Sequence, residues 1–117
     1  MVTWERFAEL ARELPEVEGG TSWGNRTFRV RGKPFAGASR HEGAVWTRCD
    51  RDERPLLVAS NPDLYRLTPH FERSPAHLLI WLEHADEDEL RERLGDGWLI
   101  QAPKRLRAAY AERFADP

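Results

Sequence analysis

Apolar side chains first recur at helical spacing: Trp4, Phe7, Ala11 and Leu14 fall on one face of a helix. Thr3 stands where an N-cap is wanted, and Glu5 sits in the first turn, where the helix dipole favours an acidic group. Pro15 ends the helix. Beyond Gly19-Gly20 and the turn Trp23-Gly24-Asn25 the period drops to two. Phe28 and Val30 take one side of residues 26–31, and Thr27, Arg29 and Arg31 take the other, the pattern of a half-buried strand. Residues 33–39 and the run Ala44-Val45-Trp46-Thr47-Arg48-Cys49 supply two more strands. Gly32-Lys33-Pro34 and His41-Glu42-Gly43 are tight connections, so the three form an antiparallel meander.

A short second helix follows, capped by Asp50 or Asp52, with Glu53 and Pro55 in its first turn and Asn61-Pro62 at its end. Residues 63–75 read as irregular around Thr68-Pro69-His70-Phe71. The run His77-Leu78-Leu79-Ile80-Trp81-Leu82-Glu83 is almost wholly apolar, which predicts a central strand covered on both faces. Asp86 opens a third helix, with Glu89 three residues on and Leu90 and Leu94 facing inward, and Gly95-Asp96-Gly97 ends or kinks it. Pro103 begins a last helix edged by Leu106, Tyr110 and Phe114. Helix, three strands, helix, strand and helices make one α+β domain over residues 1–117.

Composition narrows the function. The chain has 117 residues and a net charge of −2, against a strongly basic, general nucleic-acid binder. The charge is uneven: residues 21–54 carry eight basic and four acidic side chains, a local +4. No apolar run reaches the roughly 20 residues of a membrane span. The amphipathic, acid-containing start is unlike a secretory signal, and the one cysteine, Cys49, cannot form an internal disulfide. The expected setting is cytoplasmic.

The candidate chemistry is sparse. His41, His70, His77 and His84 lack metal-ligand spacing, and no phosphate-binding glycine loop or nucleophile elbow occurs, so no metal, cofactor or enzymatic activity is expected. Asp86, Glu87, Asp88 and Glu89 are accounted for by a helix N-terminus. Cys49 reads as a half-buried strand-end residue and His77 as a strand-start residue. The basic segment remains. Arg29 and Arg31 on one strand face, with Lys33 in the next turn, would form a ribbon able to follow phosphates, extended by Lys104, Arg105 and Arg107. Trp23 and Trp98, each beside a glycine, are candidate stacking platforms.

Several of these pieces recur together elsewhere. Leu14-Pro15-Glu16-Val17, Thr21-Ser22-Trp23-Gly24, Phe28-x-Val30-x-Gly32-Lys33-x-Phe35-Ala36, Leu67-Thr68-Pro69-His70-Phe71 and Trp98-x-x-x-Ala102-Pro103-Lys104-Arg105-Leu106 resemble the MmcQ/YjbR-like family of small bacterial proteins, in order and over nearly the whole chain. The resemblance implies a helix, three strands, a helix, two strands and a C-terminal helix, similar in topology to type III secretion chaperones. It places a further strand in residues 64–71 and implies DNA binding through a likeness to a "double wing" domain. Carried onto this chain, it marks Trp23, Gly24, Lys33, Thr68, His70, Lys104 and Arg105 as a polar site. The sequence departs from the family pattern at Arg31 and Pro34, where many members have lysine or a second glycine, and at Ile80, where many have a lysine or asparagine beside the tryptophan. The leading expectation is a non-enzymatic module that binds DNA weakly and salt-dependently through Arg29, Arg31, Lys33, Lys104 and Arg105. Two alternatives stand beside it: a protein-interaction or chaperone-like module, and a small-ligand site where His70, Thr68, Trp23, Lys33 and Lys104 converge.

Overall fold

The structure is a computed structural model that describes the backbone of residues 1–22 and 24–114 and the side chains of residues 1–22 and 24–111. Helix α1 (Trp4–Arg12) begins as its sequence predicts: the Thr3 hydroxyl accepts the Arg6 backbone N–H at 3.1 Å, and Phe7 and Ala11 are buried. Four strands then follow in succession: β1 (Val17–Ser22), β2 (Asn25–Val30), β3 (Lys33–Ala38) and β4 (Ala44–Arg48). Helices α2 (Arg54–Ser60) and α3 (Pro69–Glu72) lead to β5 (His77–Trp81) and a single 3-10 turn. Helices α4 (Glu87–Gln101) and α5 (Lys104–Phe114) complete the chain. All pairings are antiparallel, and the sheet order β1-β2-β3-β4-β5 is the chain order.

The α+β class and the antiparallel sheet are as expected, but one strand lies elsewhere. Residues 64–71 form no strand; Pro69 starts α3 there, and Leu64 touches β5 through one bond, accepting from Trp81 N at 2.9 Å. The fifth strand is β1, in the segment read as a connection, paired without interruption from Val17↔Val30 to Ser22↔Asn25. Its side chains alternate in nothing visible, because it is an edge strand whose four middle residues, Glu18 to Thr21, are all exposed. Glycine pairs also lack the side chains that make strands recognisable. The last strand is likewise at an edge of the sheet, not its centre. Its apolar run reports covered faces correctly: Leu78 and Ile80 join the main core and Leu79 a second one.

That main core lies between the sheet and α1 and α4, with Phe7, Phe28, Val30, Phe35, Ile80, Leu90, Leu94 and Trp98 fully or almost fully buried. Asp86 caps α4 as expected, accepting the Glu89 N–H at 2.8 Å, and Arg6 clamps the same turn through both carboxylate oxygens of Glu87 at 3.0 and 2.8 Å. The helix runs on through Gly95-Asp96-Gly97 instead of ending. Close packing is the reason. A Cβ on Gly97 would sit 3.0 Å from the Phe35 carbonyl oxygen and 3.1 Å from that of Arg48, so glycine lets the helix lie directly on β3 and β4. Phe35 is presented there by a β-bulge: Phe28 pairs with Ala36 but Arg29 pairs with Pro34, which turns both Phe35 and Ala36 into the core. Trp98 is fully buried, its Nε1 donating to the Pro15 carbonyl at 3.0 Å, so it is packing and not a stacking platform.

Candidate functional site: a cleft on the open face of the sheet

The pleat that turns Val45 and Ile80 inward turns Ala44, Trp46 and Arg48 of β4 outward, opposite Trp81, Leu79 and His77 of β5. Among the described residues, α3 and the segment before it cover this face. Phe71 is buried there with Ala44 and Leu79, and Leu67, Trp46 and Trp81 pack around them. Toward β2 and β3 the cover stops. Thr27, Gly37 and Trp46 stand side by side across three strands. A Cβ on Gly37 would meet the Arg26 carbonyl oxygen at 2.7 Å and Trp46 Nε1 at 3.0 Å, so the indole rests where only glycine leaves room.

Between Trp46 and α3 lies a cleft of about 490 Å³, lined by Ser22, Asn25, Thr27, Pro34, Ala38, Ser39, Arg40, Trp46, His70, Phe71, Ser74 and His77. The His77 ring meets Trp46 edge-on with centroids 5.3 Å apart, and His70 meets Phe71 edge-on at 5.5 Å. His77 Nδ1 is buried without a hydrogen-bond partner among the described residues. Burial pulls the His77 pKa below its usual value, and the neighbouring Arg48, Arg54 and His70 lower it further. The ring is therefore neutral at neutral pH.

The far wall of the cleft is held by Arg54, one of two buried arginines among the described residues. Its Nη1 donates to the carbonyls of Phe71 (2.8 Å), Ser74 (2.7 Å) and His77 (3.0 Å), and Nη2 reaches Glu72 at 3.4 Å. One guanidinium thus ties the end of α3 to the start of β5, and with them both histidines. The predicted caps of α2 work differently from expectation: Glu53 occupies the cap position without a side-chain bond, while Asp50 accepts from Asp52 N at 2.7 Å in the turn before it.

The residues singled out in the sequence do not form one cluster. Trp23 lies outside the described residues. Arg29 is on the open face, and its Nη2 donates to the Thr21 carbonyl at 3.0 Å, across its own hairpin. Arg31 is not in the strand. With Gly32 it makes the two-residue β2–β3 turn, at φ 49° and 80°, where the left-handed region suits glycine and strains arginine. Its guanidinium pairs with both oxygens of Glu16, at 2.7 and 3.2 Å, and this bond raises its pKa. Lys33 is paired with Val30, which puts it on the helix side of the sheet, away from His70. Lys104 and Arg105 are exposed at the start of α5. Gln101 Nε2 donates to the Pro34 carbonyl at 2.7 Å, so that end of α4 approaches the strand that carries Lys33. Thr68 precedes α3, but its hydroxyl makes no capping bond, and its Oγ1 is buried without a partner among the described residues. Of the described residues in the expected set, only His70 lines the cleft. A continuous arginine ribbon is not formed.

Sequence reasoning missed Trp46, Arg40 and Arg54, and undervalued His77. A trace of Trp46 was present: it alternates with Ala44 and Arg48 on the face opposite Val45, an odd place for a large aromatic. Gly37 beneath it becomes meaningful only through the strand register. Cys49 is buried, with its thiol 3.8 Å from the Pro75 carbonyl; burial pushes its pKa up to about 11 against the opposing pull of Arg54 and Arg48, so it is no thiolate nucleophile. Among the described residues no group of three or more His, Cys, Asp or Glu side chains could hold a metal ion, and no helix is long and apolar enough to cross a membrane.

A five-stranded antiparallel sheet with its helices packed on one face, and a short helix on the other, defines a known class of α+β domain. The YjbR family model matches residues 12–100, and the chain belongs to that family. The solved structure of Deinococcus radiodurans protein DR2400, which carries a DUF419 domain, has the same fold, with a TM-score of 0.71 over 100% of this chain and 91% of that one at 16% identity. Uncharacterized proteins Mb2600 of Mycobacterium bovis and Rv2570 of Mycobacterium tuberculosis are 41% identical to this chain over 61 residues. The matched stretch is 52% of this chain and 46% of each of those proteins, so it spans about half of their length.

Proposed function

We propose that the protein is a non-catalytic binding module whose ligand occupies the cleft on the open face of the sheet. The observation that carries this reading is the cleft itself. Its volume of about 490 Å³ is that of a small-molecule site, and it combines apolar walls with convergent polar groups. A cytoplasmic setting accords with it, since the single cysteine leaves no internal disulfide to be formed. The test is a chemically broad small-molecule screen by thermal shift, followed by NMR mapping of each hit. The expected result is a hit that moves the Trp46 indole and the His70 and His77 ring resonances. If every hit maps elsewhere, or none raises the melting temperature, the reading is wrong.

A second reading, weak DNA binding, draws on a different observation. Lys33, Lys104 and Arg105 are exposed and make no ion pair among the described residues, and the Gln101–Pro34 bond brings the end of α4, three residues before Lys104, to the strand that carries Lys33. Arg29 and Arg31 are engaged within the chain and contribute less. Contact with three phosphates predicts an affinity loss of about 40-fold between 50 and 200 mM salt. An affinity that is flat across that range excludes it. The protein-interaction alternative finds little to stand on, since the exposed large apolar side chains among the described residues are Met1, Leu56 and Ile100.

A further inference from the structure

The cleft has a chemical bias that its shape alone does not reveal. The chain carries 20 acidic against 18 basic side chains, yet among the described residues that line the cleft there is no Asp or Glu. What the wall offers are groups able to donate, with the Arg40 guanidinium beside the imidazoles of His70 and His77, the Asn25 amide and serine hydroxyls, which can also accept. Arg40 is exposed at the rim and makes no ion pair among the described residues. A guanidinium in that state is matched by a carboxylate or phosphate, which it can hold through two parallel hydrogen bonds. Behind the wall, Arg48 and Arg54 add positive charge, which helps burial to lower the His77 pKa. The rest of the wall is small or aromatic: Thr27, Pro34 and Ala38, with Trp46 and Phe71, and the His77 ring meets the indole edge-on. Aromatic rings prefer offset or edge-on neighbours and gain from them beyond simple burial.

We infer that the cleft takes a small organic anion bearing a flat ring, with the anionic group met by Arg40 and the ring laid against Trp46. This rests on the proposal that the cleft is the binding site, and it adds the class of ligand. Phosphate and carboxylate share the required chemistry, and size excludes a nucleic-acid duplex. A nucleoside monophosphate and an aromatic carboxylate are the two simplest members.

The test is titration of the full chain, by calorimetry and by NMR, with five probes: AMP, adenosine, indole-3-acetate, tryptamine and inorganic phosphate. At least one of the two ring anions is expected to bind and to move the Trp46 and His70 resonances. Its neutral or cationic counterpart, adenosine or tryptamine, is expected to bind at least tenfold more weakly, and phosphate alone more weakly than AMP. Comparing AMP with indole-3-acetate separates phosphate from carboxylate. Arg40→Gln, at an exposed position where the fold is not at stake, is expected to bring each anion and its counterpart to within about threefold. If adenosine or tryptamine binds the cleft as tightly as its anion, or Arg40→Gln leaves the preference intact, the anion inference is overturned while the cleft remains a site. If no probe moves the cleft resonances, the inference falls, and a blank broad screen would remove the cleft reading as well.

Discussion

Replacing Arg54 by methionine keeps an unbranched stem and removes the guanidinium, so it isolates the four carbonyl contacts. The side chain is 8% exposed, and three of its bonds, to Phe71, Ser74 and His77, are 3.0 Å or shorter. All three come from Nη1, which has two hydrogens, so at most two full bonds' worth of energy is at stake there. Hydrogen bonds from a charged donor contribute about 1.5–3 kcal/mol each, which makes the loss about 3–6 kcal/mol. A domain of this size holds on the order of 6–18 kcal/mol in all, so the variant should fold but with a large share of its stability gone. With an unfolding entropy near 0.25 kcal/mol/K for this length, the melting temperature should fall by about 12–24 °C. Urea unfolding followed by tryptophan fluorescence measures it, and Arg54→Lys, which keeps a donor on a shorter reach, should recover part of the loss. A loss below about 1 kcal/mol for Arg54→Met with an unchanged m-value would show that water replaces the guanidinium, and the argument that Arg54 holds the cleft wall would be refuted.

Three further outcomes follow from the packing and the titrating groups. Gly97→Ala should lower stability by up to about 2 kcal/mol: the new Cβ meets backbone atoms of Phe35 and Arg48 that cannot swing aside, at a cost of about 1–3 kcal/mol against the roughly 1 kcal/mol gained in helix propensity; a raised melting temperature would contradict this. His77 has its folded pKa below the unfolded value of about 6.5, so the unfolded chain binds the proton more readily. Its contribution is complete above that pH and is lost as pH falls below it; melting curves from pH 7.5 to 5.5 should therefore flatten in His77→Asn relative to the parent, and parallel curves would refute the assignment. Cys49, with its thiol pKa raised to about 11, should resist iodoacetamide at pH 8 in the folded protein and react in urea, as mass spectrometry will show.

What could be read from the sequence was whatever depended on neighbours in the chain. Thr3 and Asp86 cap the helices they precede, because capping is a contact over three residues. The alternation around Phe28 and Val30 located β2 and its buried side. Burial on both faces of β5 was likewise legible, although its place at the sheet edge was not, since an edge strand covered by Leu64 and α3 looks the same as a central one. What failed required partners far away. Whether Arg31 is free or bound depends on Glu16, which the β1–β2 pairing brings beside it. Whether a glycine ends a helix or allows it to touch a sheet depends on what lies beneath, and for Gly97 that is two strands. The candidate site fared worst for the same reason. His70 and Trp46 become neighbours only when β4, β5 and α3 are assembled, and the cationic residues that look like a row in the chain are divided between two faces of the sheet.

The order of strands in the sheet also governs how the molecule comes together. β1 to β4 can form by successive hairpins, each closing on the strand just made, on the microsecond scale of isolated hairpins. The β4–β5 pairing is different, because the chain must first travel through α2 and α3 before the last strand returns. That closure is the least local step in the sheet and the natural candidate for the rate-limiting one. When β5 arrives it completes both cores at once, Leu78 and Ile80 on one side and Leu79 on the other, and brings His77 to Trp46. The cleft thus has no existence in partly folded chains. Any molecule that fits it binds the finished protein alone, and its full affinity is converted into stability, about 2.7 kcal/mol at a hundred times its Kd.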